Sequence, residues 1–223
     1  MSSLMRSLTS SLQGTVMGAT IKSSSLAIVI GTDERMLTAS AMLATVLDKA
    51  QVVAVKQDTS SSQLLQEVRE VLKTAQTAII AIHADQIDLL KGLKAQLIAV
   101  RSCDNARQGA AIEKLLAKRP RFIVLNHDDP YFNQFDQHPP AEQSMTFGTH
   151  LDADCRLTQA YLSRQLSRLE LLVDRHTELS LITQLQGKEK VYDTLLALAA
   201  AYVLHIPSAE IVETLAGFRE DDV

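Results

Sequence analysis

The sequence predicts an α/β fold of three layers, in which helices cover both faces of a mostly parallel β-sheet and a small antiparallel β hairpin is added. Two observations predict the sheet: the strand-like runs are continuously apolar, and each is followed by a longer segment of helical period. The hairpin is predicted by a third observation. After Asn126 the strand-like runs follow one another with little helix between them.

The alternation of strand and helix begins at residue 26 and continues to residue 125. The predicted strands are residues 26–30, 52–56, 77–82, 95–100 and 121–125. The helical segments that follow the first four are residues 36–49, SSQLLQEVREVLKTA, DQIDLLKGL and GAAIEKLLAK. Continuous apolar strands joined by crossover helices are typical of a parallel sheet that is buried on both faces.

The segment after Asn126 contains three further strand-like runs, SMTFG, LSRLELLVDR and TELSLITQL. The second and third predict a hairpin that turns near residues 175–177. Two helices are predicted at the end, KVYDTLLALAAAYVLHI and SAEIVETLAGF. The Pro207-Ser208 pair separates them, because proline cannot continue a helix.

Composition excludes several classes of protein. The 22 bases and 26 acids give a formal charge of −4 and are interspersed, so the sequence predicts no nucleic-acid partner. The most apolar run is broken by His205 and Pro207, so no membrane span is expected. Cys103 and Cys155 lie far apart without a CxxC pair, which favours a reducing compartment and a cytoplasmic location.

We expect two parts of unequal size. Residues 1–25 predict an amphipathic helix, with Leu4, Met5, Leu8 and Leu12 near one face, and a serine-rich linker. A transit-type peptide is the alternative for this stretch, because it is rich in serine and poor in acids. Residues 26–223 are expected to form the folded domain.

The stretch IVIGTDERMLT has the strand, turn and helix of a phosphate-binding loop. Gly31 keeps the turn, but Glu34 stands at the second glycine, Arg35 at the lysine and Met36 at the magnesium-binding hydroxyl. Arginine keeps the positive charge of lysine without its compact geometry. Taken alone, the stretch is compatible with a nucleotide site or with a plain strand-turn-helix.

Four segments in order resemble the central domain of the Mur ligase and folylpolyglutamate synthase family. They are IVIGTDERMLT, RFIVLNHDDPYF, TFGTHLDADCRL and GKEKVYDTLLALAAAYVLHIPSAEIVETLAGF, and the resemblance covers about residues 26–220. Members of this family form amide bonds with ATP. The resemblance implies a sheet of P-loop or Rossmann-like type.

The resemblance also implies ATP and magnesium as cofactors. The residues it places at the cofactor are Gly31, Thr32, Arg35, Asn126, Asp128 and Asp129. Lys114 is the candidate for the lysine that is carbamylated and contacts the metals in many members. No catalytic residue is assigned.

Departures from the family's motifs shape the functional prediction. Where the family has MEVSSH with its magnesium-binding glutamate, the chain has IAIHAD, and the later His-Asn pair is Glu189-Lys190. We therefore predict a degenerate, stand-alone central-domain homologue without ligase activity, which binds a protein partner, another copy of itself, or a nucleotide weakly. The alternative is an ATP-dependent carboxylate-amine ligase, related to peptidoglycan precursor synthesis, in which Arg35 replaces the lysine and a partner subunit completes the enzyme.

Overall fold

The computed structural model describes residues 25–135, 141–163 and 166–219. The predicted N-terminal helix and almost all of its linker lie outside these residues. None of the helices in the described ranges is long and apolar enough to cross a membrane.

The strands of the described residues form one nine-stranded sheet in the order β2-β3-β1-β4-β5-β6-β7-β8-β9. The strands are β1 Ser25–Gly31, β2 Ala50–Ala54, β3 Thr77–His83, β4 Leu97–Val100, β5 Phe122–Asn126, β6 Gln143–Gly148, β7 Cys155–Leu162, β8 Ser167–Val173 and β9 Thr177–Thr183. The α-helices are α1 Arg35–Val46, α2 Ser61–Thr74, α3 Ala106–Leu116, α4 Phe132–Phe135, α5 Lys188–Val203 and α6 Ser208–Gly217. A 3-10 helix spans Ala84–Leu90 where the sequence predicted an ordinary helical segment.

The predicted fold class is confirmed. Strands β1 to β7 pair in parallel, and β8 pairs antiparallel with both β7 and β9. The β8–β9 hairpin turns between Val173 and Thr177, close to the predicted position. Two details differ from the prediction: SMTFG belongs to β6, which extends the parallel sheet, and β7 was not foreseen.

Strand β7 escaped prediction because its sequence, CRLTQAYL, neither alternates nor forms an apolar run. Its second half is exposed on both sides, and its register shifts between Leu157 and Gln159. A half-solvated strand with a bulge carries little of the period-two pattern on which strand prediction depends. The antiparallel addition therefore has three strands, continuous with the main sheet.

Two apolar layers enclose the sheet. Helices α1, α5 and α6 cover one face, and α2, α3, α4 and the 3-10 helix cover the other. Helix α5 is the most enclosed helix of the described residues, because its residues 193–201 are all buried. Burial on both faces is the reason that β1, β3, β4 and β5 are continuously apolar.

This topology brings the carboxyl ends of the parallel strands to one edge. In a doubly wound sheet, ligands bind at this edge, where crossovers leave on opposite faces. Here β1 is flanked by β3 and β4, so the loops that follow these three strands meet.

Candidate functional site

The loop after β1 is held by polar contacts from both neighbouring strands. The backbone N–H of Thr32 donates to Ser102 Oγ at 3.2 Å, and His83 Nε2 lies 2.7 Å from the carbonyl oxygen of Thr32. The N–H of Arg35 donates to Asp33 Oδ1 at 3.0 Å and starts α1. A Cβ added at Gly31 would lie 3.1 Å from Met36 Cβ, so the turn packs tightly against the helix. The predicted turn at Gly31 is thus a fixed structural feature.

Two arginines and two carboxylates form an ion-pair cluster over this loop. Arg35 Nη1 lies 2.9 Å from Glu189 Oε2 and 3.3 Å from Asp33 Oδ2. Arg101, which follows β4, places Nη2 3.3 Å from the same Glu189 oxygen and Nη1 3.8 Å from Asp33 Oδ1. Both guanidinium groups are therefore paired with acids of the same chain.

A third carboxylate, that of the buried Asp193, also pairs with Arg101. Arg101 Nε donates to Asp193 Oδ1 at 2.5 Å, and the side chains are only 6% and 0% exposed. Asp193 Oδ2 has no hydrogen-bond partner among the described residues. Burial raises the pKa of Asp193 to about 6, although Arg101 acts in the opposite direction. Burial by itself would lower the pKa of Arg101, but the interactions with Asp193, Asp33 and Glu189 together outweigh it and raise that pKa, so Arg101 stays charged.

The segment after β5 ties the ends of two strands together. Asn126 Nδ2 donates to the carbonyl oxygen of Arg101 at 2.8 Å. Asp129 accepts from the backbone N–H of Cys103 at 2.7 Å and of Tyr131 at 2.8 Å. Burial raises the pKa of Asp129, which these hydrogen bonds only partly offset. Asn126 and Asp129 therefore fix the loops that follow β4 and β5.

Asp128 organises the loop after β6. It accepts from the N–H and Oγ1 of Thr149 at 2.6 and 2.8 Å, from the N–H of His150 at 3.0 Å and from the hydroxyl of Tyr192 at 2.7 Å. Burial would raise the pKa of Asp128, but the four donors outweigh it and lower that pKa. Burial and the bond to Asp128 raise the pKa of Tyr192 to about 12. Gly148, at φ +151°, leaves room for this carboxylate, because an added Cβ would lie 2.7 Å from Asp128 Cγ.

Two open cavities flank the ion-pair cluster. The β5 cavity, of about 550 Å³, is lined by residues 101–104, 126, 128–131, 188, 189 and 192. The loop cavity, of about 880 Å³, is lined by residues 32–34, 36, 37, 54–57, 83, 85 and 86. Both volumes lie in the range of small-molecule sites.

The Cys103 thiol at this edge is poorly suited to nucleophilic attack. Burial raises the pKa of the Cys103 thiol to about 11, so the thiolate needed for nucleophilic attack is scarce at neutral pH. Within the described ranges, no group of three or more His, Cys, Asp or Glu side chains is arranged to hold a metal ion.

Comparison with known protein families agrees with this fold. The model of the Mur ligase middle domain matches residues 3–201. The chain belongs to this family. The match begins inside the segment predicted as an N-terminal helix and linker, so the boundary at residue 25 stays a prediction.

Curated Mur ligases are similar to this chain over less than half of its length. A UDP-N-acetylmuramoyl-L-alanyl-D-glutamate--2,6-diaminopimelate ligase of Geobacillus thermodenitrificans is 33% identical over 99 residues, which is 44% of this chain and 20% of the ligase. The ligase with the same name from Lactiplantibacillus plantarum is 35% identical over 95 residues, 43% of this chain and 19% of the ligase. The aligned part thus corresponds to about a fifth of these relatives.

Solved Mur ligase structures share the fold across nearly the whole chain. A UDP-N-acetylmuramoyl-L-alanyl-D-glutamate--2,6-diaminopimelate ligase superposes with a TM-score of 0.77 at 16% identity, covering 92% of this chain and 48% of the other. The MurF ligase from Thermotoga maritima in complex with ADP superposes with a TM-score of 0.69 at 13% identity, covering 94% and 51%. The chain therefore spans about half the length of these structures.

This Mur ligase middle domain places six of the predicted site residues at one edge of its sheet. Gly31, Thr32 and Arg35 form the loop, while Asn126, Asp128 and Asp129 line the β5 cavity. Arg101 connects the two groups. Its guanidinium group pairs with Asp33 of the loop, and its backbone carbonyl oxygen accepts a hydrogen bond from Asn126 Nδ2.

Lys114 is the exception. It lies in the last turn of α3 and lines a separate cavity with Asp88 and Lys91, instead of the loop or the β5 cavity. The structure therefore does not bring Lys114 together with the other candidates.

Arg101, Asp193 and Tyr192 are functional-site residues that were not predicted from the sequence. Two signals were present: Arg101 is a charge directly after the apolar run LIAV, and Asp193 is a single acid inside the apolar stretch VYDTLLALAAA. A charge in either position needs a buried partner. The partner itself is visible only in three dimensions.

Proposed function

We propose that this Mur ligase middle domain does not carry out ATP-dependent ligation with its own residues and acts by binding. Its ligand would be a partner protein, a second copy, or a weakly held nucleotide. One observation carries the proposal: Arg35 and Arg101, two bases beside the loop, are already paired with Asp33, Glu189 and Asp193. Both arginines would have to give up carboxylates of the same chain to bind a triphosphate.

The loop fits a magnesium triphosphate poorly. Asp33, Glu34 and Glu189 would all face phosphate oxygens, and each like-charge pair at 4 Å costs about 1 kcal/mol in water and about 4 kcal/mol near a protein surface. Magnesium prefers carboxylate and other oxygen ligands in octahedral geometry. The end of β3 instead presents the imidazole of His83, which lies 2.7 Å from the Thr32 carbonyl oxygen. We therefore derive no step through magnesium or ATP.

The β5 cavity supports weak binding of a nucleoside. It combines the amide of Asn126 with the phenol rings of Tyr131 and Tyr192. Aromatic rings and amides bind purine bases by stacking and hydrogen bonding. The ADP complex of the structurally similar MurF ligase from Thermotoga maritima also supports a nucleotide ligand.

Isothermal titration with adenosine, ADP and ATP, each with and without magnesium, tests this proposal. We expect similar weak affinities for all three, because the phosphates meet paired arginines and surplus carboxylates. Micromolar binding of ATP that requires magnesium and is followed by hydrolysis would refute the proposal.

A ligase completed by a partner subunit is the second candidate. It is favoured by the exposure of Arg35, whose side chain is 47% accessible. Exposed ion pairs contribute only about 0–1 kcal/mol, so Arg35 can exchange Glu189 for a phosphate at little cost. In the reconstituted complex, Arg35→Ala should abolish amide formation. The control is Arg69→Ala, at an exposed position of α2, which should leave amide formation unchanged. An unchanged rate in Arg35→Ala would reject this candidate.

For both candidates we propose the cytoplasm as the location. Both cysteines are buried and free. Free thiols persist where the compartment is reducing. The ligase candidate would act in peptidoglycan precursor synthesis.

A further inference from the structure

A basic groove follows one face of α3, away from the loop after β1. Two neighbouring cavities of about 430 and 320 Å³ share Leu115 and Lys118. The second cavity extends along α3 from Arg107 to Leu115, a distance of about 12 Å at the rise of an α-helix, and both cavities meet at Leu115 and Lys118. The 3-10 helix and the loop at residues 92–95 form the opposite wall. We call this feature the α3 groove.

The α3 groove concentrates positive charge on an acidic protein. Its lining contains six bases and one acid; the bases are Lys91, Lys94, Arg107, Lys114, Lys118 and Arg119. The acid, Asp88, is 3.1 Å from Lys91. In the described part of the chain, no carboxylate lies within 4.0 Å of the other five bases, and the formal charge of the whole chain is −4. A positive field this concentrated attracts an anionic ligand.

The floor of the α3 groove is apolar. Ile87, Ile98 and Leu115 lie beneath the basic side chains. Ala110 and Ala111 keep the face of α3 low, so another backbone can approach it. Among the described residues, no aromatic side chain lines either cavity, and aromatic stacking is the usual platform for single-stranded nucleic acid. A concave, elongated surface also fits a peptide better than a flat membrane.

We propose that the α3 groove binds an acidic amphipathic helix of a partner protein. Apolar residues of that helix would cover Ala110 and Ala111, which are half-buried, above the buried Ile98 and Leu115, as in other helix-in-groove complexes. Arg107 and Lys114 are seven residues apart, which is about two turns of α3, and Lys118 lies in the turn just after the helix ends at Leu116. Glutamates at the same spacing on the partner helix meet all three.

Fluorescence anisotropy with a defined peptide tests the proposal. The probe is a labelled helix of about 15 residues made of leucine and glutamate, with the leucines on one face. Its control is a scrambled peptide of the same composition. Anionic vesicles of phosphatidylserine and a single-stranded oligonucleotide are tested as competitors. Measurements at about 0.15 M salt suppress long-range attraction between exposed charges.

Two variants of the α3 groove are compared with a charge-matched control. The double variant Lys114→Glu/Lys118→Glu reverses two bases of the groove. Arg69→Glu/Arg175→Glu makes the same change in net charge at two exposed arginines elsewhere. Ala111→Trp fills the floor without changing charge. Circular dichroism reports whether each variant is folded.

We expect the amphipathic peptide to bind and the scrambled one not to bind. Affinity should fall at least about tenfold in the lysine variant and in Ala111→Trp, but not in the arginine control. Failure of the peptide to bind, or equal losses in both charge-reversal variants, would overturn the proposal. Stronger binding of the protein to the vesicles or to the oligonucleotide than to the amphipathic peptide would overturn the proposal too. If the lysine variant does not fold, unchanged binding of the peptide to folded Ala111→Trp would also overturn the proposal.

Discussion

Replacing Asp193 with asparagine tests how the buried carboxylate beside Arg101 responds to pH. Burial raises the pKa of Asp193 from 3.8 to about 6. This shift of about 2 pKa units corresponds to about 3 kcal/mol. Because the folded state holds the proton more tightly than the unfolded state, the free energy of unfolding falls by up to about 3 kcal/mol as pH rises from about 4 to about 6. Asparagine keeps the size of the side chain and remains neutral, so Asp193→Asn should lack this loss.

The free energy of unfolding is measured by urea titration, followed by circular dichroism, between about pH 4 and pH 8. The informative quantity is the difference in unfolding free energy, variant minus wild type, at each pH. This difference should become more positive by about 3 kcal/mol across the titration of Asp193 and then stay constant. Any constant effect of the substitution on the contact with Arg101 cancels from this slope.

A difference that does not change with pH, or that changes in the opposite direction, would refute the argument. Asp128→Asn provides a control with the opposite sign. Its hydrogen bonds lower the pKa of Asp128, so the carboxylate stabilises the folded state at neutral pH and loses this effect as the pH falls through the lowered pKa. Asp128→Asn should therefore be most harmful near neutral pH and least harmful in acid.

Three further predictions concern the same edge of the sheet. Gly187→Ala, with φ +93°, ψ 152° and no atom of the described residues within 4 Å, should cost about 1–3 kcal/mol through backbone strain alone. Gly148→Ala should cost clearly more, because its Cβ would also lie 2.7 Å from Asp128 Cγ at φ +151°, and equal losses in urea titration would contradict this. Glu189→Gln should tighten pyrophosphate binding by about fivefold in calorimetry, since it removes a carboxylate from both arginines. Unchanged or weaker binding would show that the ion-pair cluster does not hinder phosphate binding. Burial raises the pKa of Cys103 to about 11, so in the native protein this thiol should react with a disulfide reagent near pH 8 far more slowly than after unfolding, and equal rates would show that it is accessible.

The sheet was predictable because the signal for each of its strands lies in the residues of that strand. A strand covered by helices on both faces must be apolar at nearly every position, and LAIVI, TAIIAI and LIAV show this in the sequence alone. The closing helices were predictable for a similar reason, since Pro207 marks the break between them. Strand β7 was not predictable, because its exposed second half and its bulge remove the pattern.

The candidate site was predictable only in part. Gly31 and Asn126 stand in motifs that can be matched by eye, and the structure places both at one edge of the sheet. Lys114 was proposed from a similar local match, but it lies in the last turn of its helix, beside other bases. A short helical motif does not encode which end of the helix faces a site.

The sequence by itself determined the class of fold, the order of its motifs and the family to which the domain belongs. These depend on periodicity and on short motifs, which are properties of neighbouring residues. Tertiary structure alone decided that Arg101 meets Asp193, 92 residues away, and that Glu189 reaches both arginines. It also gathered six bases into the α3 groove, although acids and bases are mixed along the chain. Charge pairing depends on distance in space, and a distance between remote residues is set only when the crossovers between strands are in place.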